Sequence, residues 1–125
     1  MEKILTYIPY FEKENQEYSK LVPSGNEEGV YPSYYFVYDE KLEAFIKELY
    51  DSNVVVKNYT EILGMVDDLT ETIATDSEEV LRAKLTYIAR AHRFGDEEIW
   101  DWAAKEKVFL NILYRLRELW KIAGT

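Results

Sequence analysis

Apolar residues recur at helical spacing along most of the chain and alternate almost nowhere. Ile4, Leu5, Ile8 and Phe11 make a first stripe. Pro9 interrupts it and predicts a kink or an early stop. Residues 15–33, "NQEYSKLVPSGNEEGVYPS", hold the other prolines and two glycines and predict a long loop. "YYFVY" has strand propensity, with "NVVV" at 53–56 as its apparent partner, so a minor β-ribbon is expected at most. Asp39 reads as the N-cap of a helix carrying Leu42, Phe45, Ile46 and Leu49, which "DSN" at 51–53 breaks. Asn58 and Glu61 have capping-box spacing ahead of a helix with Tyr59, Ile62, Leu63 and Val66 inward. Asp76 and Glu79 repeat that spacing before Val80, Leu81, Leu85 and Ile88. Gly95 ends or interrupts this helix, and Asp96 caps another through Ile99, Trp100 and Ala103. The last stripe is Phe109, Ile112, Leu113, Leu116, Leu119, Trp120 and Ala123, with Gly124 as the stop. The expected fold is all-α: a compact bundle of about six helices with a long N-terminal loop, forming a single domain over 1–125.

Composition narrows the chemistry. The chain has no cysteine, so disulfides and thiolate metal sites are excluded. The N-terminal apolar stretch is too short for a signal peptide, and no run reaches the length of a membrane span. A cytoplasmic protein is expected. The net charge is −9. Residues 61–80 carry seven acids and no base, whereas residues 103–125 carry five bases and two acids. An acidic middle argues against direct nucleic-acid binding, which needs clustered Lys and Arg. The acidic run reads either as solvated helix surface or as a patch for a basic partner.

From residue 32 the chain resembles the bacterial and phage proteins grouped as domain of unknown function 6508. "PSYYFVYDEKLEAFIKELYDSNVVVKNYTEIL" and "LRAKLTYIARAHRFGDEEIWDWAAKEKVFLNILYRLREL" carry the likeness. The family pattern falls on Tyr50-Asp51 and Val55, Tyr59, Leu81 to Thr86, Arg90 to Phe94, and Ile112 to Leu116. Asn53 and Val54 stand where the pattern has Gly and Trp. His92 stands where it has Asp, and Asp96-Glu97 where it has Glu-Gly. The resemblance implies an all-α fold and brings no activity. It also implies a bacterial cytoplasm, or that of a host if the chain is phage-encoded.

"ARAHRFGDEEIWDW", residues 89–102, concentrates the polar chemistry. Arg90 and Arg93 at a helix end can pair with Glu97 and Glu98 at the next helix start, making a charged corner pinned by Phe94. Arg93 should then be anchored more firmly than His92. Alternatively Arg90 and Arg93 clamp a phosphate or carboxylate ligand. His92 has the chemistry of a general base but lacks a nucleophile motif, so no catalytic residue is assigned. Asp67, Asp68 and Glu71 fall within one helical turn and, with Glu78 and Glu79 facing them, would suit Mg²⁺. Trp100 and Trp102 lie about 200° apart around a helix, so one belongs on the surface or in a groove.

Three functions stay open. The first is a small acidic binding protein that engages a protein partner with a basic surface through Asp67, Asp68, Glu71 and Trp102. One form of this would inhibit a nucleic-acid-binding protein by occupying its basic groove. The second is a small-ligand or nucleotide binder using Arg90 and Arg93. The third is a metal-dependent nucleotide hydrolase. No cofactor, resident metal or membrane is implied, and a homodimer through the Trp-bearing or C-terminal helix remains open.

Overall fold

The structure is a computed structural model, and it describes residues 2–24, 33–64, 68–94 and 98–123. A 3-10 segment, Glu2–Tyr7, runs into the short helix α1, Ile8–Glu12. Pro9 sits in the first turn of α1, where its missing N–H costs no hydrogen bond. Two strands follow, β1 (Ser19–Ser24) and β2 (Ser33–Tyr38). Then come α2 (Glu40–Asp51), α3 (Tyr59–Leu63), α4 (Glu78–Ala91), α5 (Ile99–Lys105) and α6 (Val108–Ala123). The described residues form a mostly helical bundle of six α-helices with one small two-stranded sheet, as the periodicity predicted.

The strand partner differs from the expected one. β2 pairs antiparallel with β1, with Ser19 opposite Tyr38 and Ser24 opposite Ser33. Residues 53–56 pair with neither strand. Part of the expected loop over 15–33 is therefore the first strand of the ribbon, and Pro23 lies within it. An edge strand tolerates that proline because only one side of it needs donors. Residues 53–56 instead close α2. Asn53 has φ 57°, the left-handed conformation that ends helices, and Val54 N–H returns 2.9 Å to Leu49 O. A glycine would fit the same turn. Val54 is fully buried behind it.

One apolar core joins every layer. Phe11, Phe45 and Phe109 interlock edge to face or tilted at its centre, with centroids 4.9 to 5.4 Å apart. Leu42, Leu49, Leu81, Leu85, Ile88, Ile112, Leu113 and Leu116 fill the space around them without exposure. α6 packs on α1, α4 and α5, so the C-terminal stripe is the spine of the bundle. Three caps depart from expectation, the first being Asp39, which sits at the N-cap of α2 without a side-chain cap bond while its carboxylate accepts from the Tyr10 hydroxyl. Ser77, not Asp76, caps α4 by accepting from Val80 N–H. Asp76 turns inward and pairs with the buried Lys84. Asn58 occupies the N-cap position of α3 without a side-chain cap bond.

α3 is also shorter than expected. It stops at Leu63, because Gly64 takes φ 58° and ψ −134°, a conformation closed to side-chain-bearing residues. Val66 lies outside the described residues. Beyond the break, Asp68 is not helical either. Its carboxylate accepts from Thr70 N–H at 2.8 Å and Thr70 Oγ at 2.6 Å, closing a local turn that competes with a helix.

Candidate functional site

α5 divides the surface around it. Its two tryptophans, two residues apart, face different clefts. Trp100 is partly buried and donates its indole N–H to Ile88 O at 3.1 Å. Trp102 is 39% exposed. It walls a cleft of about 490 Å³ with Ile99 and Glu98, against Tyr59, Leu63 and Gly64 at the end of α3. Tyr87 of α4 and the Asp68-Leu69 turn complete the lining. Three aromatic rings and two carboxylates therefore meet in one opening, and among the described residues no basic side chain lines it. The Thr70 hydroxyl and amide hold the Asp68 carboxyl below the usual carboxylate range, so it stays ionised at neutral pH.

The sequence placed four residues at a partner surface, and the structure brings two of them together. Asp68 and Trp102 line this cleft. Glu71 belongs to a different hollow, beside Thr70, Tyr114, Arg115 and Glu118. Asp67 lies outside the described residues. The run over 61–80 is also not one patch, because Asp76 is buried and Glu78 accepts the indole N–H of Trp120. Among the described residues no three acidic or histidine side chains gather as a metal site would need. Asp68 and Glu71, read from the sequence as one helical turn, lie in a non-helical segment and line different hollows.

Tyr59, Tyr87 and Glu98 were not singled out for this cleft. Tyr87 carried a readable signal: it is a large aromatic on the solvent side of α4, 43% exposed, opposite the buried Leu81, Leu85 and Ile88. The meeting of the three was not readable, because it rests on the packing of α3 and α5 against α4.

The arginines of the central stretch take different surroundings. The Arg90 guanidinium lies over the Tyr59 ring, 5.5 Å from its centroid, and its buried Nε has no hydrogen-bond partner. Arg93 is exposed and lines a second cleft of about 430 Å³ on the Trp100 side. Among the described residues neither arginine pairs with Glu98, and Glu97 lies outside them. His92 is more firmly held than Arg93, the reverse of the expectation. Its ring stacks on Trp100, with centroids 4.5 Å apart and planes at 20°, and meets Tyr38 edge-on at 5.6 Å. The reason is position. A short 3-10 turn, His92–Phe94, carries the chain out of α4, with His92 against the aromatic layer and Arg93 toward solvent.

Among the described residues no helix is long and apolar enough to cross a membrane. No curated protein and no solved structure matches the chain. One family model does, over residues 1–121, described as a family of unknown function, DUF6508. The match covers nearly the whole chain, from the first 3-10 segment into α6, and the chain belongs to that family.

Proposed function

We propose that this is a binding protein whose cleft between α3, α4 and α5 receives a basic segment of a protein partner. The observation that carries the reading is the lining: Tyr87 and Trp102 beside Asp68 and Glu98, with Tyr59, whose ring already carries the Arg90 guanidinium, completing it. Aromatic faces attract cations, and Lys or Arg stems pack on rings while their heads reach carboxylates. A cation over an exposed ring contributes about 0.5–1 kcal/mol, and an exposed ion pair about 0.2–1 kcal/mol. One side chain is therefore a weak ligand, and a useful affinity needs several basic residues in a row. The acidic surface around the cleft suits that, because it raises the encounter rate with a positively charged partner. A nucleic-acid-binding protein is a natural partner class, since its basic groove offers such segments.

The test uses a Lys/Arg-rich peptide of about ten residues, followed by tryptophan fluorescence. Binding should weaken steeply with salt, because exposed charges are screened within about 8 Å at physiological ionic strength. Asp68→Asn with Glu98→Gln should weaken it by about tenfold, and Trp102→Ala should remove most of the signal. Equal affinity in the charge-neutralised double variant would reject the cleft as the site.

A further inference from the structure

The second cleft has the opposite character. It is framed by Phe36 and Tyr38 of β2, by α2, by the end of α4, and by Trp100 of α5. His92 and Arg93 stand at one side, with Glu43 and Lys47 of α2 also in the lining. Its aromatic side chains touch in sequence, the Tyr38 ring tilted 52° against Trp100. Phe36 stacks on Tyr38 at 6.3 Å, Tyr38 meets Trp100 at 4.9 Å, and Trp100 stacks on His92 at 4.5 Å. Lys47 is engaged by Asp51 at 3.3 Å. The Arg93 guanidinium and the His92 ring nitrogens make no hydrogen bond or ion pair among the described residues. The nitrogen donors of this cleft that lack a partner thus sit together on the wall formed by the turn after α4.

We infer that this cleft binds a flat aromatic anion, its ring against Tyr38 and Trp100 and its carboxylate or phosphate at Arg93 and His92. Three features select that class. A volume of about 430 Å³ falls in the range of small-molecule sites, which run about 300–1,000 Å³. An aromatic floor whose Tyr38 and Trp100 rings meet at 52°, with donors at one edge, seats a single flat ring and fixes its direction. A guanidinium with no hydrogen bond or ion pair among the described residues gives planar, two-pronged recognition of an oxyanion. Glu43 on the α2 wall sets the polarity, since it repels an anionic group placed at that end. The site is separate from the acidic cleft and does not rest on the function proposed for it.

His92 is the single histidine of the chain. Its imidazole proton signals in NMR therefore report this cleft without ambiguity. The probes are 2-naphthoate, 2-naphthyl phosphate and the uncharged 2-naphthamide. The two anions should shift the His92 signals and saturate, and the amide should bind about fivefold more weakly, as the loss of one exposed charge contact implies. Arg93→Gln should weaken the anions by a similar factor and leave the amide unchanged. Glu43→Gln should strengthen the anions, and Trp102→Ala should change nothing. A carboxylate source and a phosphate source are told apart by which of the two anions saturates first. Equal binding of anion and amide, indifference to Arg93→Gln, or His92 signals unmoved at about 10 mM of either anion would each overturn the assignment.

Discussion

Lys84 is 1% exposed, yet its ammonium keeps two partners, the Asp76 carboxylate and Thr72 Oγ at 3.2 Å. The carbonyl of Asp76 is itself bonded by Arg115 Nε at 3.1 Å. Residues of α4, α6 and the turn before α4 thus meet at one buried charge pair. Lys84→Met should cost about 3–5 kcal/mol in urea unfolding, because it strands a buried carboxylate, and Lys84→Met with Asp76→Leu should recover most of that. A single-variant cost under about 1 kcal/mol would mean that water reaches Asp76. Tyr10 gives a second residue-scale outcome. Burial, then its 2.6 Å hydrogen bond to the Asp39 carboxylate, raises its pKa far above the ordinary 10.0. Tyr7 and Tyr18 are also raised, chiefly by burial. A folded-state pKa above the unfolded value contributes stability that is complete below pH 10 and is lost as pH rises beyond it. Thermal melts from pH 9 to 12 should therefore fall steadily, and Tyr10→Phe should flatten that fall. A Tyr10→Phe profile parallel to wild type would mean that the hydroxyl ionises alike in both states.

At the scale of elements, what the sequence disclosed depended on how local the cause was. α4 and α6 were legible because their apolar stripes repeat over several turns, and burial follows the stripe at Leu81, Leu85 and Ile88 and again at Phe109, Ile112, Leu113 and Leu116. The ribbon was legible as a strand but not as a pair. The β1 partner sits among Ser, Lys and Pro residues whose local signal is that of a loop, and only the return of β2 makes it a strand. α3 was misjudged in length for a backbone reason. The apolar spacing from Tyr59 to Val66 continues through Gly64, whereas its φ of 58° does not permit a helix to continue. That glycine is needed for its conformation and not for space, since a Cβ there would touch nothing within 4 Å. Gly64→Ala should cost about 1–2 kcal/mol, and because Gly64 lines the acidic cleft it should weaken the basic peptide as well. Stability and binding both equal to wild type would show that the turn adapts. The candidate site was half legible: Asp68 and Trp102 announce themselves as residue types, whereas Tyr59 and Tyr87 come together only through the packing of α3 on α4.

For the whole molecule, the balance of −9 sets two opposite responses to salt. Most of the described acids are exposed, so screening relieves their mutual repulsion and should raise the melting temperature of the free chain. The same screening should weaken a basic ligand in the acidic cleft. Both measured on one sample at about 50 and 500 mM salt should move in opposite senses, and a parallel fall would count against charge as the common cause. The aromatic layer carries a further consequence, in light rather than in energy. Trp102 stands 39% open beside two carboxylates, Trp100 lies face to face with an imidazole, and Trp120 donates to Glu78 at the far end of α6. The chain has only these three indoles, and each watches a different district. Acrylamide should extinguish Trp102 first, while the emission of Trp100 is shortened in lifetime by its stacked neighbour. Variants keeping one tryptophan apiece would turn the protein into three separate fluorescent gauges, each sensing events in its own part of the fold.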